Sequence, residues 1–399
     1  MIIQPRTRGF ICLTAHPEGC AKNVTDQIAY VTSKENIDGP KKVLIIGAST
    51  GFGLASRITA AFGSQAATIG VFLEKPPKEN RPASPGWYNS AAFETEANKQ
   101  NLYAKSINGD AFSTEVKEET IQLIKEDLGT VDLVIYSLAS PVRKDPESGI
   151  KYKSVLKPIG KKFENKTVDF HTGELSNVAI DPANQEDIDN TIKVMGGEDW
   201  TLWIKALLEA GVLAENCTTV AYSYIGPEVT QPVYREGTIG MAKNDLEQTA
   251  FTLTDQLKDI KGKAYVSVNK ALVTQASSAI PVIPLYISLL YQVMKDKNIH
   301  EGCIEQIYRL FSERLFTEDT IPLDTEGRIR IDDWEMRKDV QEEIQKLWSS
   351  ATSDNIADIS DLEGYRKDFF NLFGFKVPGI DESKEVDEML WITSIAQNA

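Results

Sequence analysis

Tyr234 and Lys243 set a phenol and an ammonium nine residues apart, and a second phenol, Tyr224, stands ten residues before Tyr234. A phenol near pKa 10 gives up a proton only sluggishly at neutral pH, and a nearby ammonium lowers that pKa. On one continuous helix, nine steps of about 100° would put the pair on opposite faces and roughly 13 Å apart along the axis. Gly237 and Gly240 resolve this: Tyr234 is expected on a loop, and Lys243 in the first turns of a helix running through Leu257.

The elements that must position such a pair begin with Val43-Leu44-Ile45-Ile46, an apolar run suited to a strand buried on both faces. It feeds Gly47-Ala48-Ser49-Thr50-Gly51-Phe52-Gly53, after which Leu54, Ala55, Ile58 and Ala61 recur at helical spacing. Strand, glycine turn and helix read as a dinucleotide grip. Gly47 permits the turn, Gly51 lets a pyrophosphate approach the backbone at the helix N-terminus, and Gly53 allows close helix packing. The next strand, Ala67 to Glu74, ends in Leu73-Glu74, and Glu74 lies 21 residues past Gly53. A carboxylate there accepts hydrogen bonds from the adenosine ribose and repels a 2′-phosphate, which favours NADH over NADPH.

Further strands are expected at Leu102 to Ile107, Val131 to Ser137, Thr218 to Tyr222 and Ala264 to Asn269, with helices at Ala91 to Gln100, Val116 to Leu128 and Trp200 to Leu213. This alternation specifies an α/β fold with a doubly wound parallel sheet. Leu138-Ala139, after the fourth strand, falls where the cofactor ribose should lie. Pro76 to Asn89 reads as a loop. Residues 1–40 form an N-terminal extension in which a lone histidine, His16, reads as structural. Residues 142–190 form a hairpin-bearing insertion into a core of 41–275, and residues 276–399 supply helices at Cys303 to Leu315 and Asp332 to Leu347. The aromatic tail around Tyr365, Phe369, Phe370, Phe373 and Phe375 packs on the core, so the 399 residues are read as a single domain.

The totals agree with this reading. There are 58 acidic against 43 basic residues and a net charge of −15, which argues against nucleic acid or an anionic membrane as partner. Cys12, Cys20, Cys217 and Cys303 lack the spacing of a zinc site or a disulfide framework, so no metal is expected and a reducing cytoplasm fits best. The apolar stretch Ser278 to Met294 is interrupted by Pro281 and Pro284 and falls short of the roughly 20 residues of a membrane span. It is expected to be a buried or ligand-facing helix, with no stable membrane insertion.

The glycine spacing resembles that of the short-chain dehydrogenase/reductase superfamily. Within it, ketone reductases carry a serine about thirteen residues before the tyrosine, where this chain has Ala221. The wide gap to Lys243, the upstream Tyr224, Tyr-Ser-Leu-Ala-Ser-Pro at 136–141, Val-Met-Gly-Gly-Glu-Asp-Trp at 194–200 and Ala-Tyr-Ser-Tyr-Ile-Gly at 221–226 all resemble a different group. This is the large branch of NADH-dependent enoyl reductases, comprising trans-2-enoyl-CoA reductases and related enoyl-acyl-carrier-protein reductases.

The resemblance covers essentially the whole chain. It implies reduction of the 2,3 double bond of an enoyl thioester on coenzyme A or acyl carrier protein, the last reductive step of fatty acid elongation, by a monomer or weak dimer. It implies Tyr234 as proton donor, Lys243 as cofactor-binding partner and Tyr224 as thioester contact. Asp110 and Ala111 would bracket the adenine, Leu272-Val273-Thr274 would bind the nicotinamide end, and Ile280 to Lys297 would form a substrate-covering helix. The alternatives are a 3-ketoacyl or carbonyl reductase and a non-catalytic NADH sensor.

Overall fold

In the computed structural model all residues are described except 10, 276, 318–319 and 396–399. Seven strands form one parallel sheet: β1 (Lys42–Ile46), β2 (Ala67–Phe72), β3 (Ala104–Asn108), β4 (Val131–Tyr136), β5 (Leu213–Ser223), β6 (Lys263–Val268) and β7 (Ile329–Arg330), in the spatial order β7-β6-β5-β4-β1-β2-β3. Val43, Leu44, Ile45 and Ile46 are all fully buried, two on each face, as a central parallel strand requires. The order reverses between β1 and β4, and a ligand crevice opens at such a switch point outside the carboxyl ends of the strands.

One face of the sheet is covered by α1 (Pro17–Thr32), α2 (Gly51–Ile58), α3 (Pro85–Lys99) and α9 (Cys303–Leu310). The other carries α4 (Thr114–Leu123), α6 (Glu198–Glu209) and α7 (Thr238–Gln256). A third apolar cluster joins α8 (Ile283–Asp296), α10 (Lys338–Ser350), α12 (Leu362–Asn371) and the antiparallel hairpin Phe163–Val168 with Leu175–Ile180 beyond the crevice. The aromatic tail packs as expected, with Tyr365, Phe369, Phe373 and Phe375 buried.

Several boundaries move, each for a local reason. The N-terminal extension carries a full helix, α1, whose Cys20, Val24, Ile28 and Val31 enter the sheet-face core. His16 caps it, its ring Nδ1 accepting from Gly19 N–H at 3.2 Å, which is the structural role expected of it. Helix α3 starts at Pro85, six residues before the expected Ala91, because a proline at the first helical position is preorganised. The loop after β2 is correspondingly shorter.

Helix α6 stops at Glu209, where Gly211 takes φ +68°, and β5 begins at Leu213 with an irregular register before Thr218. The insertion ends in a helix, α5 (Gln185–Met195), begun by a capping box on Asn184. The segment 332–337 precedes α10 instead of opening it, and β7 escaped the sequence reading because two residues carry no period. Helix α8 is buried from Ile283 to Tyr291 on all sides, so it is a core helix rather than one with a single apolar face. No helix among the described residues is long and apolar enough to cross a membrane.

Candidate active site at the carboxyl edge of the sheet

The strands are parallel, so their carboxyl ends share one edge, and the expected site residues follow those ends. Gly47 follows β1, Leu73 and Glu74 follow β2, Asp110 and Ala111 lie two and three residues past β3, and Leu138 and Ala139 lie just past β4. Tyr224 comes directly after β5, and Leu272 to Thr274 lie in the connection from β6 to α8.

The glycine turn has the shape a dinucleotide needs. Gly47 adopts φ +91°, and a Cβ there would stand 2.2 Å from the Ser137 carbonyl oxygen, so the turn crosses β4 at closest approach. A Cβ at Gly53 would lie 1.9 Å from the Gly47 carbonyl oxygen, whereas Gly51, at φ +55°, faces open space. Thr50 caps α2 without a side-chain hydrogen bond, which leaves the first N–H groups to a ligand. These residues fit a nicotinamide dinucleotide. Gly53→Ala is expected to push α2 off the turn, destabilising the protein by about 1–3 kcal/mol and abolishing saturable NADH binding; thermal melting with and without NADH checks it.

Glu74 accepts a hydrogen bond from Ser49 Oγ at 2.7 Å, which joins the end of β2 to the glycine turn. Burial raises its carboxyl, and hydrogen bonds from Ser84 and Ser49 oppose that rise. The turn at Asp110 and Ala111 is clamped from behind. Ala111 carbonyl oxygen accepts from Lys117 Nζ at 2.9 Å and Trp203 Nε1 at 3.0 Å, and Lys117 is itself paired with buried Asp199 at 2.9 Å. In the β6 connection Leu272 and Val273 are buried, Val273 N–H donates to Tyr291 at 3.3 Å, and Thr274 exchanges hydrogen bonds with Ser277.

Tyr234 sits on a turn and Lys243 in the second turn of α7, as the glycines imply. A Cβ at Gly240 would meet the Arg235 carbonyl oxygen at 1.7 Å, so α7 can start only against that turn. The rings of Tyr224 and Tyr234 meet edge to face at 5.0 Å. Lys243 Nζ donates to the Tyr222 carbonyl oxygen at 3.2 Å at the end of β5. The Tyr222 hydroxyl lies 2.6 Å from Ser56 Oγ of α2, and its ring packs on Phe52 at 5.9 Å. The ammonium and the helix after the glycine turn thus meet at Tyr222, two residues before the Tyr224 of the tyrosine pair.

One expectation changes. Burial pushes the Tyr234 phenol up to about 12 and brings Lys243 down to about 8 against the pull of Glu247. The net direction for the phenol is up rather than down. Tyr234 therefore stays protonated across the neutral range, as a hydrogen-bond donor.

Sequence reasoning missed Glu335, Tyr286 and Lys270, which lie behind the tyrosines. Glu335 stands 111 residues after Tyr224, and only the fold brings its Oε1 within 3.3 Å of the Tyr224 hydroxyl. No spacing signal could have found it.

Three family descriptions match in tandem. "NAD(P)H binding domain of trans-2-enoyl-CoA reductase" covers residues 2–79, "Trans-2-enoyl-CoA reductase catalytic region" 81–316, and "Enoyl reductase FAD binding domain" 323–386. The last segment spans α10 and α12. There Asp361 caps α12 by accepting from Gly364 N–H at 2.8 Å, and a Cβ at Gly374 would lie 2.4 Å from the His16 carbonyl oxygen, so these two glycines serve the protein's own packing.

The chain is 68% identical over 395 residues to an enoyl-[acyl-carrier-protein] reductase [NADH] of Cytophaga hutchinsonii, spanning 99% of this chain and all of that one. It is 60% identical over 387 residues to a trans-2-enoyl-CoA reductase [NADH] of Ruminiclostridium cellulolyticum, covering 97% of this chain and 98% of the relative. A crystal structure of a trans-2-enoyl-CoA reductase of Clostridium acetobutulicum with NADH superposes with a TM-score of 0.96 at 47% identity, over 99% of this chain and 100% of the other. With a shared fold, a full-length match and a glycine turn built for the dinucleotide, this chain belongs to the trans-2-enoyl-CoA reductase family.

Proposed function

We propose that this protein reduces the 2,3 double bond of a trans-2-enoyl thioester with NADH. The observation that carries the reading is the Tyr224–Tyr234 pair, 5.0 Å apart at the end of β5, in a chain 60–68% identical over nearly its full length to NADH-dependent enoyl reductases. The nicotinamide, when bound, supplies hydride to the β-carbon. Tyr234 donates a hydrogen bond to the thioester oxygen as it takes on enolate charge, Tyr224 contacts the same oxygen, and a proton then reaches the α-carbon to give the saturated thioester. Lys243 holds the nicotinamide ribose. The turn Gly47 to Phe52 holds the pyrophosphate, Glu74 the adenosine ribose, Asp110 and Ala111 the adenine, and Leu138, Ala139 and Leu272 to Thr274 the nicotinamide half.

A two-tyrosine site without a serine at position 221 supports an enoyl over a ketone substrate. The acyl group arrives on coenzyme A or acyl carrier protein, which share the phosphopantetheine arm. Lys151, Lys153 and Lys161 remain exposed on the insertion, whereas Lys157 and Lys162 pair with Asp187 and Glu164. We further read the chain as an enlarged Y-x8-K member of the short-chain dehydrogenase/reductase superfamily, folded as one domain, acting in the cytoplasm as a monomer or weak dimer; the strand order supports the superfamily and the four free cysteines a reducing compartment. The test is loss of nicotinamide absorbance with crotonyl-CoA, with acetoacetyl-CoA as the ketone control. Oxidation with the enoyl substrate alone is expected. Oxidation with the ketone, or tight NADH binding without turnover of either, would overturn the assignment.

Cofactor choice follows from Glu74. Glu74→Gln removes the charge that repels a 2′-phosphate, and the ratio of kcat/KM for NADH to that for NADPH is expected to fall at least about tenfold, the equivalent of 1.4 kcal/mol. Because burial raises this carboxyl, discrimination by the native protein weakens as pH falls. A ratio unchanged in the variant would assign selectivity elsewhere.

A further inference from the structure

Behind the two tyrosines lies a carboxyl group whose contacts exceed those of a structural anchor. Glu335, in the segment between β7 and α10, is fully buried. Its Oε1 accepts from the Tyr286 hydroxyl at 2.7 Å and from the Tyr224 hydroxyl at 3.3 Å, and its Oε2 accepts from Ala271 N–H at 2.8 Å. Gln341 Nε2 donates to the Tyr286 hydroxyl at 3.2 Å and to the Glu335 carbonyl oxygen at 2.7 Å, which fixes this arrangement from α10. A phenol has one hydrogen to donate. While Glu335 accepts it, Tyr224 has none to offer elsewhere.

Resting on the reading above that Tyr224 faces the thioester, we infer that Glu335 is a positioning residue that sets the direction of the Tyr224 hydrogen bond. Ionised, it draws the hydroxyl hydrogen away from the substrate. Protonated, it donates to the Tyr224 oxygen and frees that hydrogen for the thioester oxygen, while Oε2 keeps the Ala271 contact. No bond other than hydrogen bonds changes, and the proton exchanges with water.

The groups facing Glu335 come from each surrounding element. They are Tyr224 after β5, Lys270 after β6, Tyr286 on α8, Gln341 on α10 and Asp332 on its own segment, with Tyr234 beyond Tyr224. Burial raises the Glu335 carboxyl to about 7, Lys270 opposing and Asp332 adding to the rise. Burial brings Lys270 down to about 8; its Nζ donates to the Ala271 carbonyl oxygen at 3.0 Å and lies 5.1 Å from the Tyr291 ring. Both states of the switch are thus populated near neutral pH.

The protonated form is the productive one, so kcat with crotonyl-CoA and saturating NADH is expected to fall as pH rises through about 7, approaching tenfold per pH unit. Glu335→Gln imitates the protonated acid, its amide oxygen accepting from Ala271 and its NH2 donating to the tyrosines. In it the break should move up to the next groups, the lysines near 8. Tyr224→Phe should also lose the break near 7 while leaving Glu335 in place. A readout independent of turnover is the infrared band of a protonated carboxyl in the NADH-free protein, which should titrate near pH 7 in the native chain and in Tyr224→Phe and be missing in Glu335→Gln. An unchanged break in Glu335→Gln, or no such band in the native chain, would overturn the inference. A native chain that turns over no enoyl thioester yet shows the band would strike the proposed function instead.

Discussion

Replacing Tyr234 with phenylalanine is expected to lower kcat with crotonyl-CoA by about 10²–10⁴-fold, the range for losing a single positioned acid or oxyanion donor. NADH affinity should stay within a factor of about two, because a phenyl ring keeps the edge-to-face contact with Tyr224 at 5.0 Å and the turn it stabilises. Val233, the neighbour in that turn, is fully buried and untouched by the change. The proof is the division of effects: steady-state kcat collapses while an NADH titration followed by fluorescence is unmoved. Since burial holds the phenol near 12, Tyr234 itself contributes no break between pH 6 and 9. Full activity in Tyr234→Phe would transfer the donor role to Tyr224, whose hydroxyl already has a carboxylate partner.

The features legible in the sequence are those with short-range causes. Val43 to Ile46 form a strand buried on both faces, and the glycines at 47 and 53 meet the backbone demand their spacing implied. The offset between Tyr234 and Lys243 predicted a loop-then-helix arrangement from geometry alone, and Gly240 against the Arg235 carbonyl oxygen is its physical basis. What escaped has long-range causes. Strand β7 exists because β6 offers it an edge, α8 is buried on every side because α10, α12 and the insertion hairpin close over it, and Glu335 reaches Tyr224 across 111 residues. A one-dimensional spacing also carries no information about desolvation, which here raises the Tyr234 phenol.

Lys243→Met is expected to move affinity and stability in opposite directions. In the native chain the ammonium donates to the Tyr222 carbonyl oxygen and lies beside the residues that link β5 to the glycine turn, while burial brings it down to about 8. A lysine whose folded pKa lies below its unfolded value costs the folded state stability when charged, a cost that fades as pH rises from about 8 toward the unfolded value. At pH 7 the methionine variant, of similar length and without the charge, should therefore melt higher than the native protein. A dinucleotide carries negative charge and favours the ammonium, so NADH binding should take up a proton above pH 8 and native affinity should weaken there with rising pH. The variant should bind NADH about 10–100-fold less tightly at pH 7, the worth of a hydrogen bond from a charged donor, and its affinity should be flat across pH 7–9. Calorimetric titrations at several pH values with matched melting curves measure both halves. A variant that keeps the native pH slope would show that another group carries the proton, and one that melts lower would show that the Tyr222 contact outweighs the desolvation of the charge.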